Sequence, residues 1–237
     1  MDDESNREAS PPGIKSRRRL VRSGAIGAGA FWVTPVVESY TSPAAESSTS
    51  ALVGIGAAVS GRGISPIPPA QGTFRVLLAT SQEVLTLQLS SGWTPFMTNV
   101  GSMSLSGWYG GTSASNPTFI AVGNTTAVIL GFNGSTTAEA GPATDGTERT
   151  IGGAPIGPAP AAGVVLFVGG TSSPRAWSTP SGYSSRVAAP VPDASNDLAP
   201  QLLVWDRTGA PANAADGIGS FTTGPDVVTT GVQVLVR

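Results

Sequence analysis

Histidine and cysteine are absent from the chain, and its single lysine is Lys15. A Ser-His-Asp relay, a Ser-Lys pair, a lysine Schiff base, a histidine-held metal and a thiolate nucleophile are therefore excluded for want of parts. Disulfides and cysteine-ligated zinc go with them. There is no Walker A lysine and no Gly-x-Ser-x-Gly elbow, and Gly54 and Gly56 sit in an apolar run without the spacing of a dinucleotide loop. What remains is carboxylate chemistry, in which one Asp or Glu donates a proton while another acts as base or nucleophile, as in glycoside hydrolysis.

The carboxylates are poorly placed for that work. Asp145, Glu148, Asp193, Asp197, Asp216 and Asp226 lie in Gly-, Pro- and Ala-rich stretches, where turn formation and solubility account for them. Glu83 and Asp206 stand beside apolar runs, so partial shielding is expected, and no neighbour in sequence pairs with either. Asp193-Ala194-Ser195-Asn196-Asp197 offers hard oxygen donors of the kind calcium takes. It lacks the Gly and bidentate Glu of an EF-hand, and an Asx-rich turn explains it without metal, so no metal or cofactor is assigned. The remaining candidates are Trp93, Trp108, Tyr109, Trp177, Tyr183 and Trp205, because aromatic faces stack on sugars and anchor interfaces. Trp108 and Trp205 close apolar runs and read as core. Trp177 lies in the turn-rich Pro174-Arg175-Ala176-Trp177-Ser178-Thr179-Pro180 and is the candidate for surface binding, with packing against a sheet as its alternative role.

The elements that must position these residues read as strands. Charged residues make up 12% of the chain while Gly numbers 31 and Pro 20, a turn-rich composition. Apolar runs predict strands over residues 51–60, 73–80, 83–90, 103–109, 118–122, 126–132, 163–169, 201–206 and 227–236. Leu85, Leu87 and Leu89 alternate with Thr86 and Gln88, and Val232, Val234 and Val236 with Gln233 and Leu235, the period of a half-buried strand. No sustained helical spacing follows residue 45. Residues 133–162 carry no apolar periodicity and read as a long connection.

That connection divides the body into halves, about 51–132 and 163–237, which align with one another. Val76-Leu77-Leu78 matches Val165-Leu166-Phe167, and Ser91-Gly92-Trp93-Thr94 matches Ser181-Gly182-Tyr183-Ser184. The run ending in Trp108-Tyr109 parallels the one ending in Trp205-Asp206, and 128–132 parallels 232–236. Strand, Ser-Gly-aromatic turn, strand with a terminal Trp and closing strand together resemble the jelly-roll β-sandwiches of secreted bacterial surface proteins and phage tails. The resemblance implies a binding or scaffolding module.

Ser16-Arg17-Arg18-Arg19-Leu20-Val21-Arg22 precedes a mild apolar stretch from Ser23 to Val37 that is diluted by glycine. Fifteen such residues are too few to span a ~30 Å hydrocarbon core comfortably, whereas polar basic region, short apolar region and small-residue exit form the order of a secretion signal. Ser16, Arg17, Arg18, Leu20 and Arg22 make the segment similar to a twin-arginine (Tat) leader. The resemblance implies residues 1–45 as a signal recognised by the Tat machinery, 46–237 as the exported body, and a bacterial source. From Glu46 onward 7 Arg and no Lys face 10 Asp plus Glu, a net of −3, which argues against nucleic acid or anionic lipid as partner. The sequence is thus read as an exported all-β sandwich of two similar halves, outside the cell or on its envelope. It has no membrane span in the body and acts by contact with carbohydrate or protein. A carboxylate-dependent polysaccharide hydrolase and a virion or assembly component are the alternatives.

Overall fold

The computed structural model describes residues 50–85, 87–88, 91–119, 123–154, 156, 163–190, 199–208 and 218–237. All regular elements among them are strands. The first half supplies β1 (Ala51–Ile55), β2 (Val59–Gly61), β3 (Phe74–Ser81), β4 (Leu87–Gln88), β5 (Trp93–Val100), β6 (Leu105–Gly111), β7 (Thr118–Phe119) and β8 (Thr125–Asn133). The second supplies β9 (Ala138–Ala140), β10 (Thr144–Glu148), β11 (Thr150–Gly152), β12 (Val164–Thr171), β13 (Ser184–Ala189), β14 (Gln201–Thr208), β15 (Ile218–Ser220) and β16 (Val227–Val236).

Each half folds into its own antiparallel sheet. The first runs β1-β8-β3-β6-β5 with β2 also on β8, and the second β10-β16-β12-β14-β13 with β9 also on β16. The pairs β4–β7 and β11–β15 form two small ribbons. The jelly-roll resemblance therefore extends to a two-sheet sandwich and stops at the strand order, since among the described residues no strand passes from one sheet to the other.

The sheets repeat residue by residue. Leu77 lies between Trp108 and Ile129, and Phe167 lies between Trp205 and Gln233. Before β5 and β13 the Ser-Gly-aromatic turns put Gly92 at φ 100° and Gly182 at φ 78°, a backbone region that glycine enters without steric cost. Both edge strands then bulge at the same place, β5 after Pro95 and β13 after Ser185. On the opposite edge, Gly56 N–H donates to the Ile129 carbonyl and Gly141 N–H to that of Gln233, each at 2.8 Å.

Three expectations are corrected. Val76-Leu77-Leu78 aligns with Leu166-Phe167-Val168, one residue on from the match read in the sequence; such a slip moves every side chain to the other face. Residues 133–162 are not a bare connection, because β9, β10 and β11 lie there and the first two form the edge of the second sheet. Within 83–90 the described strand is only Leu87–Gln88.

The sheets face each other across one apolar core. Phe74, Val76, Leu78, Leu105, Val128, Leu130 and Phe132 come from the first sheet. Val164, Leu166, Val168, Leu202, Val204, Val232, Val234 and Val236 come from the second. Valines of the second sheet stand where the first has Phe74, Leu130 and Phe132, so the second sheet brings smaller side chains at these positions to the shared core. Each buried Leu, Val or Phe contributes about 1.5–3 kcal/mol to keeping the sheets together.

The outer faces are covered too, each by its own half. Ile64, Leu85, Trp93, Ala114 and Phe119 pack over Leu77, Trp108 and Ile129. Ile151 and Tyr183 pack over Phe167, Leu203, Trp205 and Leu235. Central strands are consequently buried on both sides, which is why β8, β12 and β16 read as near-continuous apolar runs. Gln233 and Leu235, the outward positions of an alternating strand, are as buried as the valines between them.

Candidate functional site

The second sheet carries a shallow cleft of about 190 Å³ at its β10 edge, where β11 crosses the outer face. Thr144, Asp145, Gly146, Glu148, Thr150, Gly152 and Thr229 line it. Its chemistry is that of hydroxyls and carboxylates, with neither an aromatic nor a basic side chain in the lining. Two acidic residues share this depression, and its geometry decides between an acid–base pair and a binding groove.

Asp145 and Glu148 are three residues apart on one strand, so their side chains leave opposite faces of β10. Asp145 Oδ1 accepts from Ser102 N–H of the first half at 2.9 Å and from the hydroxyl of Thr230, its cross-strand neighbour on β16. The Glu148 carboxylate accepts from the Thr150 hydroxyl at 2.8 Å. A proton donor and a base must converge on one reacting bond from fixed positions. Here each carboxylate holds a different structural neighbour. Beside the cleft, Arg149 pairs with Asp226 at 3.0 Å and donates to the Thr222 carbonyl at 3.2 Å, fixing the start of the crossing segment to the stretch between β15 and β16.

The carboxylates expected to be shielded divide. Glu83 is exposed. Asp206 is buried, 3% exposed, and contrary to the sequence reading it has a partner: Arg186 grips it with Nε at 2.6 Å from Oδ1 and Nη2 at 3.2 Å from Oδ2. Their hydrogen bond, assisted by the charge of Asp206, raises the pKa of Arg186 against the opposing effect of burial. Arg186 is the bulged residue of β13, two positions beyond Ser184, the cross-strand partner of Asp206 on β14. That pairing depends on register and could not be found in the sequence.

The aromatic residues are mostly committed to packing. Trp108 meets Phe119 edge-on at 5.9 Å, and Trp205 stacks on Phe167 at 5.2 Å, both in the outer cores. Trp93 is buried and donates from Nε1 to the Ser115 carbonyl at 2.8 Å. Trp177 is half-buried: its ring meets Phe221 edge-on at 4.8 Å, and Nε1 donates to Gln201 Oε1 at 3.0 Å. Gln201, itself fully buried, also accepts from Arg175 N–H at 2.9 Å and donates to the carbonyls of Arg175 and Pro190, so it sets the loop that presents Trp177. Trp177 remains partly exposed.

Ser16, Arg17, Arg18, Leu20 and Arg22 of the leader lie outside the described residues, as do Asp193–Asp197 and Asp216. Among the described residues no three Asp or Glu side chains gather as a metal-ligand set, and no helix is long and apolar enough to cross a membrane. Comparison of the chain with protein-family models, with curated proteins and with solved structures finds no match in any of the three.

Proposed function

We propose that the chain is an exported, non-catalytic β-sandwich module that works by surface contact in the bacterial envelope or outside the cell, with hydroxyl-rich carbohydrate as the ligand class. The observation that carries this reading is the oxygen-lined cleft, whose two carboxylates leave opposite faces of β10 and are each held by a neighbouring donor. Such a lining exchanges hydrogen bonds with sugar hydroxyls, and it offers no converging acid and base. The lack of His, Cys and body Lys supports the same reading, because it leaves only Asp, Glu and Tyr side chains to manage protons.

The test is a pull-down of the purified protein on insoluble bacterial and plant polysaccharides, with reducing-sugar release followed in parallel. Binding weakened by Glu148→Gln or Thr150→Val, without turnover, is the expected result. Release of reducing sugar that Asp145→Asn or Glu148→Gln abolishes would replace this reading with the hydrolase. Export rests on Ser16-Arg17-Arg18-Arg19-Leu20-Val21-Arg22. Changing Arg17 and Arg18 to Lys is expected to strand the full chain in the cytoplasm on cell fractionation, because a lysine cannot present the planar guanidinium fork. Undiminished export of that double variant would remove the Tat assignment.

A further inference from the structure

The contact between the halves has the geometry of a two-fold interface. Thr126 lies between Ser60 and Thr80 in the first sheet, and Thr230 lies between Asp145 and Gly170 in the second, so the two threonines hold equivalent positions. Thr126 donates its hydroxyl to the Pro200 carbonyl at 2.6 Å, and Thr230 accepts from Met103 N–H at 3.0 Å. Pro200 and Met103 each stand five residues before the equivalent tryptophans, Trp205 and Trp108. The same pair of positions is thus joined twice, each half supplying the threonine once and the main-chain group once.

Residues on the axis meet their own counterparts. Gln82 follows β3 as Ser172 follows β12, and Gln82 Nε2 donates to the Ser172 carbonyl at 2.6 Å. Thr80 and Gly170 are likewise equivalent, and a Cβ on Gly170 would lie 2.4 Å from Thr80 Oγ1. A side chain at position 170 would force Thr80 to shift, and the second half has glycine there. A patch that pairs with its own equivalent is the isologous contact of two-fold dimers.

An isologous contact between tandem halves can be satisfied within one chain or between two. Each half already covers its outer face with its own residues, and among the described residues no strand crosses between the sheets. The halves are joined only by residues 134–137 between β8 and β9. We infer that this inter-sheet face is also an interface for a second copy of the chain, and that two chains exchange halves, the first sheet of each packing on the second sheet of the other. The length of the connection decides which form is made: within one chain it holds the halves at an effective concentration on the order of millimolar.

The test uses the full chain, whose lack of cysteine permits a single engineered pair. Ser102→Cys with Asp145→Cys places thiols across the seam, at the site where Ser102 N–H and Asp145 Oδ1 are 2.9 Å apart. After unfolding, refolding at about millimolar chain is expected to give a dimer by sedimentation, and at about micromolar a monomer. Oxidation should link the dimer between chains and the monomer within a chain. Deleting residues 134–136 leaves a connection of ~7 Å across sheets packed ~10 Å apart, and should make the dimer predominate at micromolar concentration. Monomer at every concentration, or a dimer whose disulfides remain within each chain, would overturn the inference; the refolding arm decides it even where the deletion variant fails to fold.

Discussion

Arg186 and Asp206 hold the positions that Phe96 and Tyr109 hold in the first half, so one backbone solves the same rim in two ways. In the first half the rings of Phe96 and Tyr109 stack at 6.3 Å. The phenylalanine fits only because position 107 is glycine: a Cβ there would lie 2.4 Å from the Phe96 ring. The second half has Val204 at that position, and a charged fork replaces the ring. Asp206→Asn should therefore destabilise by about 1–2 kcal/mol in urea unfolding, less than a fully buried pair would lose, because the Arg186 side chain is 40% exposed and water recovers part of its charge. Transplanting the rings alone, as Arg186→Phe with Asp206→Tyr, should fail against Val204. Adding Val204→Gly should raise the urea midpoint above that of the double variant, and a midpoint that stays put would show the two rims are not interchangeable. The sign of the pH dependence follows from the raised pKa of Arg186. A base raised on folding gives stability that is complete below its unfolded pKa and lost only as pH rises through the folded one. The Arg186 guanidinium therefore causes no loss of stability between pH 7 and 10.

Turns fix the elements, and the two Ser-Gly-aromatic turns make a matched pair on which that can be measured. Both glycines have positive φ, 100° at Gly92 and 78° at Gly182, so alanine at either is strained by roughly 1–2 kcal/mol. Their surroundings differ. A Cβ at Gly92 would sit 3.0 Å from the Ala114 backbone, whereas at Gly182 the nearest atom is the Arg207 guanidinium carbon at 3.6 Å. Gly92→Ala should cost about 1 kcal/mol more than Gly182→Ala by thermal or urea unfolding, and equal costs would mean that φ alone is felt. These turns were legible because Ser-Gly-aromatic is a local signal, as were β3, β6, β8, β12, β14 and β16, whose apolar runs exceed what any loop carries. The strands β5 and β13 were not: they are half-exposed sheet edges, one interrupted by Pro95 and the other built from Ser, Arg and Ala. The strands β9 to β11 hid for the same reason, written in Thr, Gly and Ala within a stretch that looked structureless. The one-residue slip at Val165 came from burial on both faces, which removes the alternation that would have set the register. Of the candidate site, Asp145 and Glu148 were read as turn acids, and only the pairing of β10 with β16 brings them to one cleft.

For the whole molecule, the layering predicts how stability is shared. Two outer cores belong to one half each, while the central core belongs to both. Were the outer cores decisive, the halves would open independently. The central layer, however, holds the long apolar side chains of β3 and β8 against those of β12 and β16, and neither sheet can keep that face dry alone. Leu78→Ala removes a fully buried side chain from the first sheet's inner face, at a cost of about 3 kcal/mol. If the central layer couples the halves, the opening that exposes β12 and β16 is the same event that exposes β3 and β8. Hydrogen exchange by mass spectrometry should then show protection falling by roughly 100-fold in all four strands together, the exchange equivalent of about 3 kcal/mol. Loss confined to β3 and β8, with β12 and β16 unchanged, would show that the second sheet stands without the first and that its outer core, built on Phe167 and Trp205, is sufficient to hold it.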